Sequence, residues 1–172
     1  MGAIVVQRAA RRVLASAIVL LAPVPPHGLG GSLMSLALRD PPLFFALNAM
    51  QLGGDDLPAL RRVRDYLFSA SVTESDVRRH LGRTQRESQR ALMDLAWPQQ
   101  LWIREAVGLP ALVAGAGSDA FFTAAMVEEA ARFHGVRAKI FDGMAHAMML
   151  EPEWEAVAGH VHGWLEERMI GT

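Results

Sequence analysis

The stretch from Pro110 to Pro152 constrains the fold of this chain more than any other part of the sequence. It consists of a short apolar run (Ala111 to Gly115), a turn ending at Asp119, a helical segment, a second apolar run (Ala138 to Phe141) and a turn ending at His146. Two short apolar runs separated by a helix are typical of parallel α/β folds. Because the carboxyl ends of neighbouring parallel strands lie on one edge of a sheet, we expect Asp119 and His146 to leave that edge together.

Two more segments extend this prediction towards the start of the chain. Residues 3–14 place Gln7 and three arginines on one side and apolar residues on the other, which predicts an amphipathic helix. The run from Ala17 to Ala22 is apolar without alternation, as a parallel strand buried on both faces requires. The sequence therefore predicts an α/β fold with about three parallel strands, followed by a last amphipathic helix after Pro152.

Between residues 32 and 102 the pattern is helical throughout. Two capping signatures, Thr73-x-x-Asp76 and Thr84-x-x-Glu87, predict helices that start near residues 74 and 85. We therefore predict a body made of residues 1–31 and 103–172, with an all-helical insertion at residues 32–102.

Composition excludes several classes of protein. Of 172 residues, 51% are hydrophobic and 20% are charged, which is typical of a globular protein. The 17 basic residues nearly balance the 18 acidic ones, so no excess of positive charge favours nucleic acid as a partner. The absence of Cys excludes disulfides and thiolate metal sites. The apolar run from Val13 to Val24 is shorter than the roughly 18 to 20 residues that span a bilayer, so no transmembrane segment is predicted.

The first residues allow a second interpretation. Arg8, Arg11 and Arg12 precede the apolar run, as in a signal peptide, although no clear small-x-small cleavage site follows among Pro23, Pro25 and Pro26. We predict a cytoplasmic protein, with a small secreted helical protein as the alternative.

The turns at Asp119 and His146 resemble the acid and base loops of the α/β-hydrolase family, in its esterase-like or lysophospholipase-like branches. In that family the chain order is Ser, then Asp or Glu, then His. The resemblance implies that Asp119 holds the imidazole of His146, which acts as the base. Asp142 is a competing acid in the same loop as the histidine. The helical insertion resembles the lid of these hydrolases.

The family's nucleophile is missing from this sequence. None of its serines has the flanking glycines of Gly-x-Ser-x-Gly; they are Ser16, Ser32, Ser35, Ser69, Ser71, Ser75, Ser88 and Ser118. The opening Met1-Gly2 resembles the residues that directly follow the nucleophile, so the backbone N–H of Met1 would be half of an oxyanion hole. We therefore expect an N-terminally truncated serine hydrolase of carboxylic esters that is inactive alone, with its nucleophile in a missing N-terminal half.

The resemblance also suggests where a substrate binds. His27, Phe44, Phe45 and Met50 are candidate contacts to a small apolar ester or a lipid-like substrate. A non-catalytic binding or partner-dependent module of the same fold is the alternative. No metal and no organic cofactor are predicted. The strand at residues 17–22 would have an unpaired edge without further strands, so we expect the chain alone to self-associate.

Overall fold

The computed structural model describes residues 1–10, 12–52, 57–83, 87–99 and 103–169. Within these ranges the chain forms three strands and eight α-helices. The strands are β1 (Ile18–Leu21), β2 (Ala111–Ala116) and β3 (Ala138–Phe141). The helices are α1 (Gly2–Ala9), α2 (Gly30–Arg39), α3 (Pro41–Leu52), α4 (Leu57–Leu67), α5 (Glu74–Leu81), α6 (Gln89–Ala96), α7 (Ala124–Phe133) and α8 (Trp154–Met169). Two 3₁₀ turns lie at Arg104–Ala106 and Met148–Leu150.

The strands form one parallel sheet in the order β1-β2-β3, so the predicted α/β fold with about three parallel strands is confirmed. Leu20 pairs with Val113, and Ala114 pairs with Lys139. All six residues of the central strand β2 are buried, which explains why its sequence is apolar without alternation. Because all three strands run the same way, their carboxyl ends share one edge of the sheet.

Helix α7 packs directly on β2, and a glycine permits this close approach. A Cβ atom at Gly115 would lie 2.6 Å from Cγ2 of Val127, which is too close for any side chain. The main core cluster lies between the sheet, α7 and the end of α1; its buried members are Ala10, Ile18, Leu20, Ala106, Ala111, Val113, Val127, Ala130 and Ala131.

Helix α1 ends at Ala9, whereas the sequence predicted a helix over residues 3–14. Leu14 adopts a positive φ of 52°, which is incompatible with a continuing right-handed helix. The predicted polar face of α1 is also partly buried. Gln7 is only 1% exposed, and its Oε1 atom accepts a hydrogen bond of 2.7 Å from Nε2 of His134 at the end of α7.

Five helices, α2 to α6, connect β1 with β2 in the described residues. The predicted cap at Thr73 is present, since its hydroxyl accepts a bond from the backbone N–H of Asp76 at the start of α5. The second predicted cap, at Thr84, lies outside the described residues, and the next described helix begins at Gln89 with Ser88 as its cap. In the described ranges, no helix combines the length and apolar character needed to span a membrane.

Candidate active site at the carboxyl edge of the sheet

The loop after β2 carries Asp119 and is fixed by the neighbouring loop after β3. The backbone N–H of Gly117 donates to the carbonyl of Phe141 at 2.8 Å, and that of Ser118 donates to the carbonyl of Met144 at 2.9 Å. The two loops therefore lie side by side, as expected for the carboxyl ends of neighbouring parallel strands.

Asp119 is the anchor of this site, and its side chain is fully buried. Its Oδ1 atom accepts hydrogen bonds from the backbone N–H groups of Phe121 (2.8 Å) and Phe122 (2.9 Å). A buried carboxylate is tolerated only when such donors replace water. These two bonds also fix the rotation of the carboxylate, so its second oxygen, Oδ2, points in a defined direction.

That second oxygen contacts His146. The distance from Oδ2 of Asp119 to Nδ1 of the imidazole is 2.8 Å, and the histidine side chain is 29% exposed. Asp142, the competing acid, makes no hydrogen bond to His146 within the described residues. Since an ionised carboxylate can only accept, Nδ1 is the donor, and Nε2 of the neutral ring is left as an acceptor. This arrangement can take a proton from a hydroxyl or a water molecule at Nε2.

Two aromatic side chains hold the imidazole ring in place. The ring of Phe122 stacks on it, with centroids 5.2 Å apart and an interplanar angle of 23°, and Phe121 meets it edge to face at 5.3 Å. The same two residues supply the N–H groups that bind Asp119, so one short segment orients both the acid and the base. The sequence did not mark these phenylalanines as site residues; their position two and three residues after the acid is the signal that could have found them.

A second buried carboxylate, Glu151, lies beneath the His146 loop. It is 1% exposed, and its oxygens accept bonds from the backbone N–H of Ser69 (2.8 Å), the hydroxyl of Ser69 and the backbone N–H of Ala145 (3.3 Å). Because Glu151 and Ser69 are 82 residues apart, no local sequence pattern marks this carboxylate as part of the site.

A cavity of about 520 Å³ opens beside the site, between α2 and the segment that follows Asp119. Its wall includes Phe121 and Phe122, so it adjoins the residues that hold the imidazole. The lining is more apolar than polar; it consists of His27, Leu29, Gly31, Ser32, Leu33, Ser35, Leu36, Arg39, Asp40, Tyr66, Ala120, Phe121, Phe122, Thr123 and Met126.

Of the predicted substrate contacts, His27 lines this cavity, where its Nδ1 lies 2.7 Å from Oε1 of Glu129. Phe44 and Phe45 lie on α3 and are not part of the cavity wall, and Phe45 is 68% exposed. Among the helices, α2 supplies most of the cavity wall, together with Tyr66 of α4 and Met126 of α7, and the small and apolar residues of α2 gave no distinct sequence signal. The side chain of Met50 lies outside the part of the chain that the structure describes.

Met1 occupies the N-cap of α1, and its carbonyl accepts a bond of 3.0 Å from the N–H of Ile4. The residue is 40% exposed. Among the described residues, no group of three or more His, Asp or Glu side chains is arranged to hold a metal ion.

Comparisons with known proteins address the fold. No protein-family model matches the sequence, and no curated protein matches it. The chain is similar in structure to Rv0554 from Mycobacterium tuberculosis, with 18% identity and a TM-score of 0.61 over 96% of this chain and 62% of that one. A thermophilic esterase from Thermogutta terrifontis, solved with malate bound, aligns at 17% identity over the same shares with a TM-score of 0.48. The chain thus spans 62% of the length of these two structures. The sheet, its connections and the likeness to Rv0554 show that the chain has an α/β fold built on a parallel sheet.

Proposed function

We propose that this chain carries the acid and base of a serine hydrolase that cleaves carboxylic esters, with Asp119 as the acid and His146 as the base. The observation that carries the proposal is the 2.8 Å contact between Oδ2 of Asp119 and Nδ1 of His146 at the carboxyl edge of the sheet. In this arrangement the acid fixes the tautomer, and Nε2 removes the proton from an attacking hydroxyl and returns it to the leaving alcohol.

The cavity supports an apolar substrate. Leu29, Leu36, Phe121, Phe122 and Met126 supply apolar surface, and the cavity lies within the size range of pockets for small molecules. We propose that one apolar part of the ester binds there, and that the helical region from residue 32 to residue 102 serves as a lid. His27 is one of the polar residues in the wall of the same cavity, and we propose that it contacts the substrate.

We further propose that the nucleophilic serine belongs to a polypeptide segment outside these 172 residues. None of the serines in the chain lies in Gly-x-Ser-x-Gly, the turn that exposes a nucleophile at the end of a strand in this fold. On this proposal the chain alone does not form an acyl-enzyme, and the backbone N–H of Met1 donates to the oxyanion once the serine segment is present.

The test uses a fluorophosphonate probe, which reacts covalently with activated serines. The chain is mixed with the polypeptide encoded directly upstream in the same reading frame, and labelling of that polypeptide is followed with and without the chain. We expect labelling of one serine that requires both partners and is lost in H146Q. Glu166→Gln serves as a matched control, because it removes an exposed carboxylate from another histidine–carboxylate pair, His162–Glu166 on α8. Labelling that persists in H146Q would contradict the proposed base.

A binding module without catalysis is the second candidate, because a cavity of about 520 Å³ with apolar walls can hold a ligand without a nucleophile. It predicts that an environment-sensitive fatty-acid probe binds the chain alone and equally well in H146Q. It also predicts that F122A weakens this binding, while no serine becomes labelled under any condition.

A further inference from the structure

The geometry points to Glu151 as a positioning residue that ties the loop carrying His146 to the helical insertion and thereby sets where the imidazole lies. This inference depends on the proposed function only for the role of His146 as the base. The contacts that carry it are independent of catalysis.

Glu151 joins two segments that are distant in the sequence. It accepts hydrogen bonds from Ser69, which follows α4, and from the backbone N–H of Ala145, the residue before the histidine. Burying a carboxylate that is only 1% exposed costs free energy unless hydrogen-bond donors satisfy it. The buried Glu151 therefore favours the conformation in which both Ser69 and Ala145 donate to it.

A second link holds the other side of the histidine. The backbone N–H of Ala147 donates to the carbonyl of Leu67 at 2.8 Å. The Ala147 side chain also packs in a cluster with Phe68, Val72 and Val77 of the same insertion. The residues directly before and after His146 are therefore both anchored at residues 67–69 or at the carboxylate bound there.

The end of α4 also contacts the cavity. The ring of Tyr66 lies 5.8 Å from that of Phe121, which in turn lies 5.3 Å from the imidazole. The hydroxyl of Tyr66 donates to Asp40, and both residues line the cavity. One turn of the insertion thus touches both the wall of the cavity and the loop of the base, so the position of α4 and the position of the imidazole are set together.

The experiment measures the imidazole directly. The ¹⁵N signals of its two ring nitrogens show which one carries the proton, and hydrogen exchange of the amides of Ala145 and Ala147 shows whether the loop is held. We expect that E151A shifts the ring proton of His146 from mainly Nδ1 to a mixture of both nitrogens and increases the exchange of these amides several-fold. E151Q keeps an acceptor for the backbone N–H groups and should restore most of the parent signals.

Glu153→Ala is the matched control, because this glutamate is exposed and two residues away; it should leave the ring-nitrogen signals and the exchange of both amides unchanged. If E151A does not fold, E151D provides the test of the inference, because its side chain retains the charge but is one methylene too short to reach both Ser69 and Ala145. A folded E151A or E151D with parent-like ring nitrogens and parent-like amide exchange would overturn the inference. These signals do not depend on ester hydrolysis, so a failure of the proposed function would be visible separately, as absent serine labelling with an intact Nδ1 signal.

Discussion

Replacing Asp119 by Asn should reverse the tautomer of His146 while preserving the turn. The two backbone N–H groups that donate to Oδ1 will orient the new amide, because only its oxygen can accept from them. The amide NH₂ then faces Nδ1 of the imidazole, which must become the acceptor. The ring proton therefore moves to Nε2, where it blocks proton removal from a nucleophile. In serine proteases the corresponding Asp to Asn substitution lowers kcat by about 10⁴-fold.

The stability change can be worked out from the same three hydrogen bonds. D119N replaces a charged acceptor by a neutral one, at a cost of about 1 kcal/mol for the imidazole bond and somewhat less for each backbone bond. The total is about 2 to 3 kcal/mol, which corresponds to a fall in Tm of roughly 4 to 12 °C for a chain of this size. D119A removes all three bonds and leaves two N–H groups without an acceptor, so we expect about 3 to 6 kcal/mol.

The assay combines thermal denaturation with ¹⁵N spectra of the ring nitrogens at about pH 9, where an ordinary imidazole is neutral. H146Q identifies the signals of His146. The reasoning would be refuted if D119N kept the proton on Nδ1, or if D119A cost no more stability than D119N.

Three further predictions concern the fold. Burial lowers the pKa of His134, so the unfolded state binds a proton at this residue more readily than the folded state does. The free energy of unfolding should therefore fall as the pH drops below about 6.5. In urea titrations between about pH 5 and 7.5, H134Q should weaken this pH dependence. G115A should destabilise the chain by about 1 to 3 kcal/mol through overpacking against Val127, and V127A in the same chain should recover part of that loss. Because β1 is an edge strand of the described sheet, with Val13 and Leu14 exposed close by, we expect oligomers in light scattering.

Each of these has a contradicting outcome. If the pH dependence of stability is unchanged in H134Q, that dependence arises from groups other than His134. Additive losses in the double variant G115A/V127A would mean that the two side chains do not compete for the same space. A monomer with a single cooperative unfolding transition would contradict self-association.

A strand that is buried on both faces requires a continuous apolar run, and such a run can be recognised in the local sequence. The segment 111–116 was recognisable for this reason. The segment 138–141 is only partly buried, and it was recognisable as a short apolar run after a helix. Together they predicted the shared edge to which Asp119 and His146 belong. The cap at Thr73 was equally local, since a side chain and a backbone N–H three residues apart are sufficient to form it.

Tertiary structure alone decided the surroundings of the site. The bonds of Glu151 span 82 residues to Ser69, and no local pattern encodes a contact between such distant segments. The same holds for the cavity: its wall is formed where α2 meets the segment after Asp119, whereas the apolar run at Phe44 and Phe45 suggested α3. Apolar composition predicts that a helix buries some surface, but which neighbour it meets depends on how the whole chain packs. The sequence by itself thus determined the strands, their common edge and the pair of residues placed there. The packing of distant segments determined what holds that pair and where a ligand has room.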